Sequence, residues 1–201
     1  ISKLAMQAMG HAQEVDPKTK ELENKVAFTP MQLPEDSIVV QSNTEAEKYL
    51  HTRGLNANDF LFYESPTMKN RIIVPIAWRG KYIGYVARAY KDTVKPKYYA
   101  QVQPGTLFNL DEQTYDRQFI ILTEGIFDAI MLDGVAILGS DISHQQKLQL
   151  DLLNRPIIVV PDRDKAGTKL IDQAIEYGWW VSMPPWHDDV KDVNNAVLKY
   201  G

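Results

Sequence analysis

Cysteine is absent from all 201 residues, so neither a disulfide nor a thiolate-ligated zinc ion can form within them. Histidine is scarce: His11, His51, His144 and His187 are scattered without metal-ligand spacing. No apolar run approaches the ~18 residues that suggest a membrane span, so no membrane association is expected. The opening ISKLAMQAMGHAQEV lacks the basic-then-apolar order of a secretory signal. It begins at Ile1 rather than Met, as a fragment of a longer protein would. No G-x-x-x-x-G-K-[ST] occurs, which excludes a P-loop motor within these residues. There is also no internal repeat and no low-complexity tract.

What is present is ordinary in amount and unusual in arrangement. Hydrophobic residues make up 44% and charged residues 24%, enough for one or two globular domains with cores of their own. The net charge of −4 hides a division along the chain. Residues 65–100 carry eight Lys or Arg and one acid, Asp92, whereas residues 101–201 carry fifteen acids and eight bases. A basic segment beside an acidic one suits a protein that holds a polyanion with one part and cations with the other.

Residues 1–43 show weak periodicity, a mixed charged run and then Pro30 and Pro34; they read as a tail or linker that could carry a short helix near its start. Thr44-Glu45-Ala46-Glu47 has capping-box spacing and predicts a helix that stops at Gly54. RIIVPI and KYIGYVARA, joined through Arg79-Gly80, predict a hairpin. The part from 44 to 117 therefore reads as a small α+β unit. From 118 to 201 the pattern alternates: strands at FIILT, VAIL, PIIVVP and WWVSM, and helices at IFDAIMLDG, after Ser143, after Asp164 and after Asp192. That alternation predicts a parallel sheet with helices on its faces.

In open parallel sheets ligands bind outside the carboxyl ends of the strands. Glu124 follows one predicted strand, Asp162 and Asp164 follow another, Asp192 starts the last helix, and Asp128 lies one helical turn from Glu124. Asp162 and Asp164, two residues apart in extended chain, point to one side. Taken singly, three have plainer roles, Asp164 and Asp192 as helix N-caps and Asp128 as a solvated helix residue, whereas Glu124 is harder to dismiss because Gly125 behind it permits close approach of a ligand. Taken together they form a repulsive cluster that a hard divalent cation would relieve. DRDKAG also matches the start of an EF-hand loop, but Ala166 and Gln173 stand where ligands are needed, so calcium is set aside.

This arrangement resembles a TOPRIM domain, the catalytic module shared by DNA primases, type IA and type II topoisomerases and some nucleases. The family pattern, Glu-Gly after a first strand and Asp-x-Asp after a later one, stands here as Glu124-Gly125 and Asp162-Arg163-Asp164, with ILGSDIS (137–143) between them. Upstream, EKYLHTRGLNANDF (47–60), RIIVPI, GYVARA, PKYYA and GTLFNLDE (105–112) are similar, in this order, to segments of the bacterial and phage replicative primase core. KDVNNAV (191–197) resembles the end of T-even phage primases.

The resemblance implies a TOPRIM fold, Rossmann-like, preceded by a small α+β subdomain. It implies primer synthesis from nucleoside triphosphates on a single-stranded DNA template. Mg2+ or Mn2+ would be held by Glu124, Asp162 and Asp164, with Asp128 and Asp192 in support, and no zinc within these residues. Arg88 and Lys97 fall on its basic positions, with Lys69, Arg71, Lys81 and Lys95 around them and Tyr82, Tyr85, Tyr90, Tyr98 and Tyr99 interleaved, as single-strand or nucleotide binding requires. A zinc-binding module and a replicative helicase would be partners from outside these residues, in a bacterial or phage-infected cytoplasm. Two departures stand out. Asn194 replaces the second acid of the bacterial pattern, and residues 1–43 match nothing in the family. A TOPRIM nuclease and a non-catalytic DNA-binding or recombination-mediator module are the alternatives.

Overall fold

The computed structural model describes residues 26–57, 60–113 and 116–201. The short helix expected near the start lies outside them. Residues 26–43 run along an antiparallel sheet instead of standing free. Phe28 packs edge-on against Trp78 with ring centroids 5.3 Å apart, and the Met31 amide donates to the Tyr82 carbonyl at 2.8 Å. Strand β1 (Ile38–Val39) then pairs antiparallel with β2 (Tyr63–Glu64).

Helix α1 (Glu45–Thr52) begins where Thr44 accepts from the Glu47 amide at 3.2 Å. The Glu47 carboxylate reaches back one residue further than a capping box requires, to the Asn43 amide at 2.5 Å. Its inner face is Ala46 and Leu50, both fully buried, and Gly54 ends it in the left-handed region (φ 67°). Strands β3 (Arg71–Trp78) and β4 (Lys81–Ala89) form the expected hairpin. Arg79 and Gly80 both have positive φ, 50° and 72°, which gives the two-residue turn the twist its flanking strands need. Strand β5 (Tyr98–Gln101) completes a five-stranded sheet in the order β1-β2-β3-β4-β5 and places Tyr98 opposite Arg88. Both faces of β3 are covered. Ile72, Val74 and Ile76 enter the main core, and Ile73 joins Tyr85 and Ala87 under Leu33. Hence its continuous rather than alternating apolar run.

The second half alternates as expected: β6 (Ile120–Thr123), α2 (Ile126–Leu132), β7 (Val135–Ala136), α3 (His144–Leu152), β8 (Ile157–Val159), α4 (Lys165–Glu176), β9 (Trp180–Val181) and α5 (Val193–Tyr200). All four strands are parallel, in the order β7-β6-β8-β9. The chain builds β7 on one side of β6 and then crosses to build β8 on the other. The switch point therefore lies between β6 and β8, where a crevice opens at their carboxyl ends. Ser143 and Gln146 form a full capping box at α3. Strand β7 stops after two residues, and Leu138 soon turns away with φ 61°.

One core joins the two sheets. Ile126, Phe127, Ala129 and Ala136 pack in the same cluster as Ile72, Val74, Ile76 and Ile83. Phe108 bridges to Ala136. Burial of a ring such as Phe127, worth roughly 3–5 kcal/mol against alanine, ties α2 to β3 and β4. The cleft at the carboxyl ends of β6 and β8 is accordingly also lined by Val86 and Arg88 of β4 and Tyr98 and Ala100 of β5.

Candidate active site

Glu124 is the first residue beyond β6 and is only 9% exposed. Its Oε1 accepts the backbone amide of Asp162, beyond β8, at 3.2 Å. Gly125 leaves room for a neighbouring carboxylate: a Cβ there would lie 2.5 Å from Asp128 Oδ2. Asp128, 7% exposed, projects from the first turn of α2, and its Oδ1 accepts the Asn194 amide at 2.8 Å. It thus satisfies one of the free N–H groups at the start of α5. The DRDKAG turn closes as tightly. A Cβ on Gly167 would stand 1.9 Å from the Asp162 carbonyl oxygen, so only glycine lets α4 pass behind that aspartate.

Two of the three plainer roles are realised, the caps; the third is not, because Asp128 is buried rather than solvated. Asp164 Oδ1 accepts from the Ala166 and Gly167 amides at 2.8 and 3.0 Å, and Asp192 Oδ1 accepts from Asn195 at 2.7 Å. Asp192 nonetheless lines the same cleft as Glu124, Asp128 and Asp162, while Asp164 lies outside that lining.

The carboxylates act on one another. Burial, then the charges of Asp128, Glu124, Asp192 and Asp164, push Asp162 up to about 8. Burial lifts Asp128 to about 6, with repulsion from Asp192 added and the Asn194 hydrogen bond opposing. Glu124 is raised by burial first, against the Asp162 amide that favours its charge, and then by Asp164 and Asp128. Among the described residues no ion pair reaches any of the five. Nor do three His, Asp or Glu side chains close tightly enough to enclose an ion by themselves. An all-oxygen, mutually repelling set that stays open fits a hard cation held by one or two carboxylates, with water and phosphate supplying the remaining ligands.

Cations share the site. A cleft of ≈ 420 Å³ is lined by four of these acids together with Arg53, Arg88, Lys97 and Tyr98. Arg88 is 5% exposed; its Nε donates to the Tyr49 hydroxyl at 2.9 Å, and its guanidinium lies 4.3 Å over the Tyr98 ring. Lys97 is lowered by Arg88, then by burial and Arg53, the mark of a locally positive field. Arg53 was not singled out in the sequence. It ends α1, lies 5.9 Å over the Phe127 ring, and its carbonyl accepts from Asn194 Nδ2 at 2.7 Å. A cation at the last turn of a helix beside a glycine stop looks like an ordinary dipole partner, so the sequence carried no further signal.

The other basic residues are placed differently. Lys69, Lys81 and Lys95 are exposed and outside the cleft lining. Arg71 is 7% exposed, and its guanidinium donates to the Ala87 and Pro96 carbonyls at 3.1 and 2.6 Å, supporting the β4–β5 connection.

No protein-family model matches the chain. It is 30% identical over 125 residues to a DNA primase of Thermotoga maritima, covering 54% of this chain and 22% of that protein. It is 28% identical over 153 residues to a DNA primase of Aquifex aeolicus, covering 68% and 30%. The chain therefore spans less than a third of the length of these relatives. Among solved structures, a DnaG catalytic core superimposes with a TM-score of 0.62 at 19% identity, covering 92% of this chain and 76% of that one. A DnaG primase catalytic domain bound to single-stranded DNA gives 0.62 and 19%, covering 92% and 74%. The primase fragment of the bacteriophage T7 primase-helicase gives 0.54 and 17%, covering 90% and 81%. The fold, a four-stranded parallel sheet with flanking helices preceded by an antiparallel sheet, is that of the DnaG catalytic core.

Proposed function

We propose that this chain, whose homologues are DNA primases, carries the nucleotidyl-transfer site of such an enzyme and joins nucleoside triphosphates into short RNA primers on a single-stranded DNA template. The observation that carries this reading is the shared lining: four carboxylates and three cations around one ≈ 420 Å³ cleft at the switch point of a parallel sheet. A triphosphate needs positive charge along its length and, at the reacting phosphorus, a cation that the acids can hold. The cleft lining offers both.

Glu124 and Asp162 are the principal ligands, tied together by the 3.2 Å hydrogen bond, with Asp128 and Asp192 in support. Asp164 uses one oxygen to cap α4, and the second supplies charge to the same field. Bound Mg2+ or Mn2+ supplies neutralisation of these carboxylates and Lewis acidity toward the phosphate chain. Arg88, fixed between Tyr49 and Tyr98, and Lys97 grip the phosphates, because a guanidinium held in place loses little freedom on binding. Tyr98, 45% exposed beside them, offers a ring face for a base. Lys69, Lys81 and Lys95 lie on the exposed surface, where they would follow a template backbone.

In this reading 44–117 is the basic subdomain and 118–201 the catalytic one. The work is done in the cytoplasm of a bacterium or of a phage-infected host, with a zinc-binding module and a helicase as partners. Incubation with single-stranded template, an annealed primer, labelled nucleoside triphosphates and Mn2+ tests it. Template-dependent elongation supports the proposal. Degradation of the strand points to a nuclease, and neither outcome to a mediator.

A further inference from the structure

From the contacts of Arg163 we infer that this residue, between the two aspartates of the DRD turn, is a positioning residue that fixes Asp192 at the site by latching residues 184–191. The inference rests on the nucleotidyl-transfer reading above and deepens it.

The segment from Ser182 to Lys191 links β9 to α5 without helix or strand of its own. Left untied, a loop of this length would deliver Asp192 with considerable freedom. Arg163 ties it at several points. Its amide donates to the Lys191 carbonyl at 2.7 Å, a bond between the residues next to Asp162 and next to Asp192. Its guanidinium donates through Nη1 to the carbonyls of Trp186 (2.8 Å) and His187 (3.2 Å), and through Nη2 to that of Pro184 (2.9 Å). The guanidinium also lies 5.5 Å over the Trp186 ring. A rigid fork of donors can span three carbonyls in this way, whereas an ammonium group cannot. Asp162 faces the cleft and the alternation of extended chain turns Arg163 the other way, so the latch closes behind the site.

Helix α5 keeps anchors outside the latch, the bonds from the Asn194 amide to Asp128 and from Asn194 Nδ2 to the Arg53 carbonyl. Loss of the latch should therefore loosen the loop without unfolding the helix. The electrostatic expectation has the opposite sign. Removing a cation beside an acidic cluster should by itself strengthen cation binding, so weakened binding identifies positioning.

The test uses the whole chain and Mn2+ alone as probe, with calorimetry on wild type, Arg163→Ala, Arg163→Lys, Asp192→Asn and the Arg163→Ala/Asp192→Asn double variant. Tryptic cleavage after Lys191 reports loop release. Arg163→Ala is expected to weaken Mn2+ binding roughly tenfold, within the range that residues orienting a metal ligand usually show, and to speed cleavage at Lys191. Arg163→Lys should fall between, which keeps the test open if the alanine variant folds poorly. In the Asp192→Asn background Arg163→Ala should add no further loss. Unchanged or tighter Mn2+ binding by both Arg163 variants overturns the inference, as do additive losses in the double variant. A wild type that binds no Mn2+ overturns the cation reading of the cleft itself.

Discussion

The Glu124 carboxylate and the Asp162 amide, at the ends of neighbouring strands, are joined by a 3.2 Å hydrogen bond. Glutamine keeps the acceptor oxygen and loses the charge. Glu124→Gln is therefore expected to keep the turn and to lower primer elongation by at least about a hundredfold, the scale of losing a main electrostatic contact in a site of this kind. The metal-free melting temperature should stay unchanged or rise slightly, because a repulsive cluster loses one member. Near-normal elongation by the folded variant would remove Glu124 from the site.

Asp162 is held up to about 8 in the folded chain, against a usual carboxylate value near 3.9 when unfolded. Folding therefore favours its protonated form. The stability it contributes is fully present below about pH 4 and is lost as pH rises through about 8. Without metal, wild type should lose stability across this window, and Asp162→Asn should lose less. At pH 8 the variant should be more stable by on the order of 1–2 kcal/mol, discounted because the side chain is partly solvated. Urea unfolding in a chelator at pH 5, 6.5 and 8 measures the difference, and parallel profiles would count against the repulsive cluster.

Gly167→Ala brings a Cβ to within 1.9 Å of the Asp162 carbonyl oxygen. We expect a loss of about 2–4 kcal/mol, the range of backbone collisions in a packed turn, together with weaker Mn2+ binding. Gly139→Ala, with nothing within 4 Å of the added Cβ, should stay within about 0.5 kcal/mol of wild type. Thermal melts of the two variants side by side give the comparison.

Lys97→Ala should weaken nucleotide or single-strand binding about tenfold and reduce the salt slope by roughly one phosphate contact, with little change in stability. Arg71→Ala should do the reverse. Its buried guanidinium serves two carbonyls, so its loss should cost about 1–3 kcal/mol of stability and leave the salt slope unchanged. Binding isotherms at several salt concentrations, with melts on the same samples, separate the two.

These contrasts show what the sequence made legible. The run IIVV, the cap residues Thr44, Ser143 and Asp164 and the Arg79-Gly80 turn are local signals, and each produced its expected element. The carboxylates could be gathered because a parallel sheet places every strand end on one edge. Arg53 and Arg163 were missed because their partners are distant in the chain: Asn194 for the first and the 184–187 carbonyls for the second. Arg71 reads in the sequence like its basic neighbours, and only the covering of β3 on both faces, which depends on distant segments, buries it. Residues 26–43 gave only weak periodicity because single contacts such as Phe28 on Trp78 hold them, not a regular stripe.

Whether the acidic and basic groups of the cleft hold one substrate is tested by nucleoside triphosphate affinity with and without saturating Mn2+ in wild type, Lys97→Ala, Asp162→Asn and the double variant. Mn2+ should tighten binding at least about tenfold in wild type. Asp162→Asn should abolish that gain, and the two substitutions should be non-additive, as expected for groups acting on one ligand. Triphosphate affinity that is indifferent to Mn2+, with the two substitutions acting independently, would contradict one shared substrate.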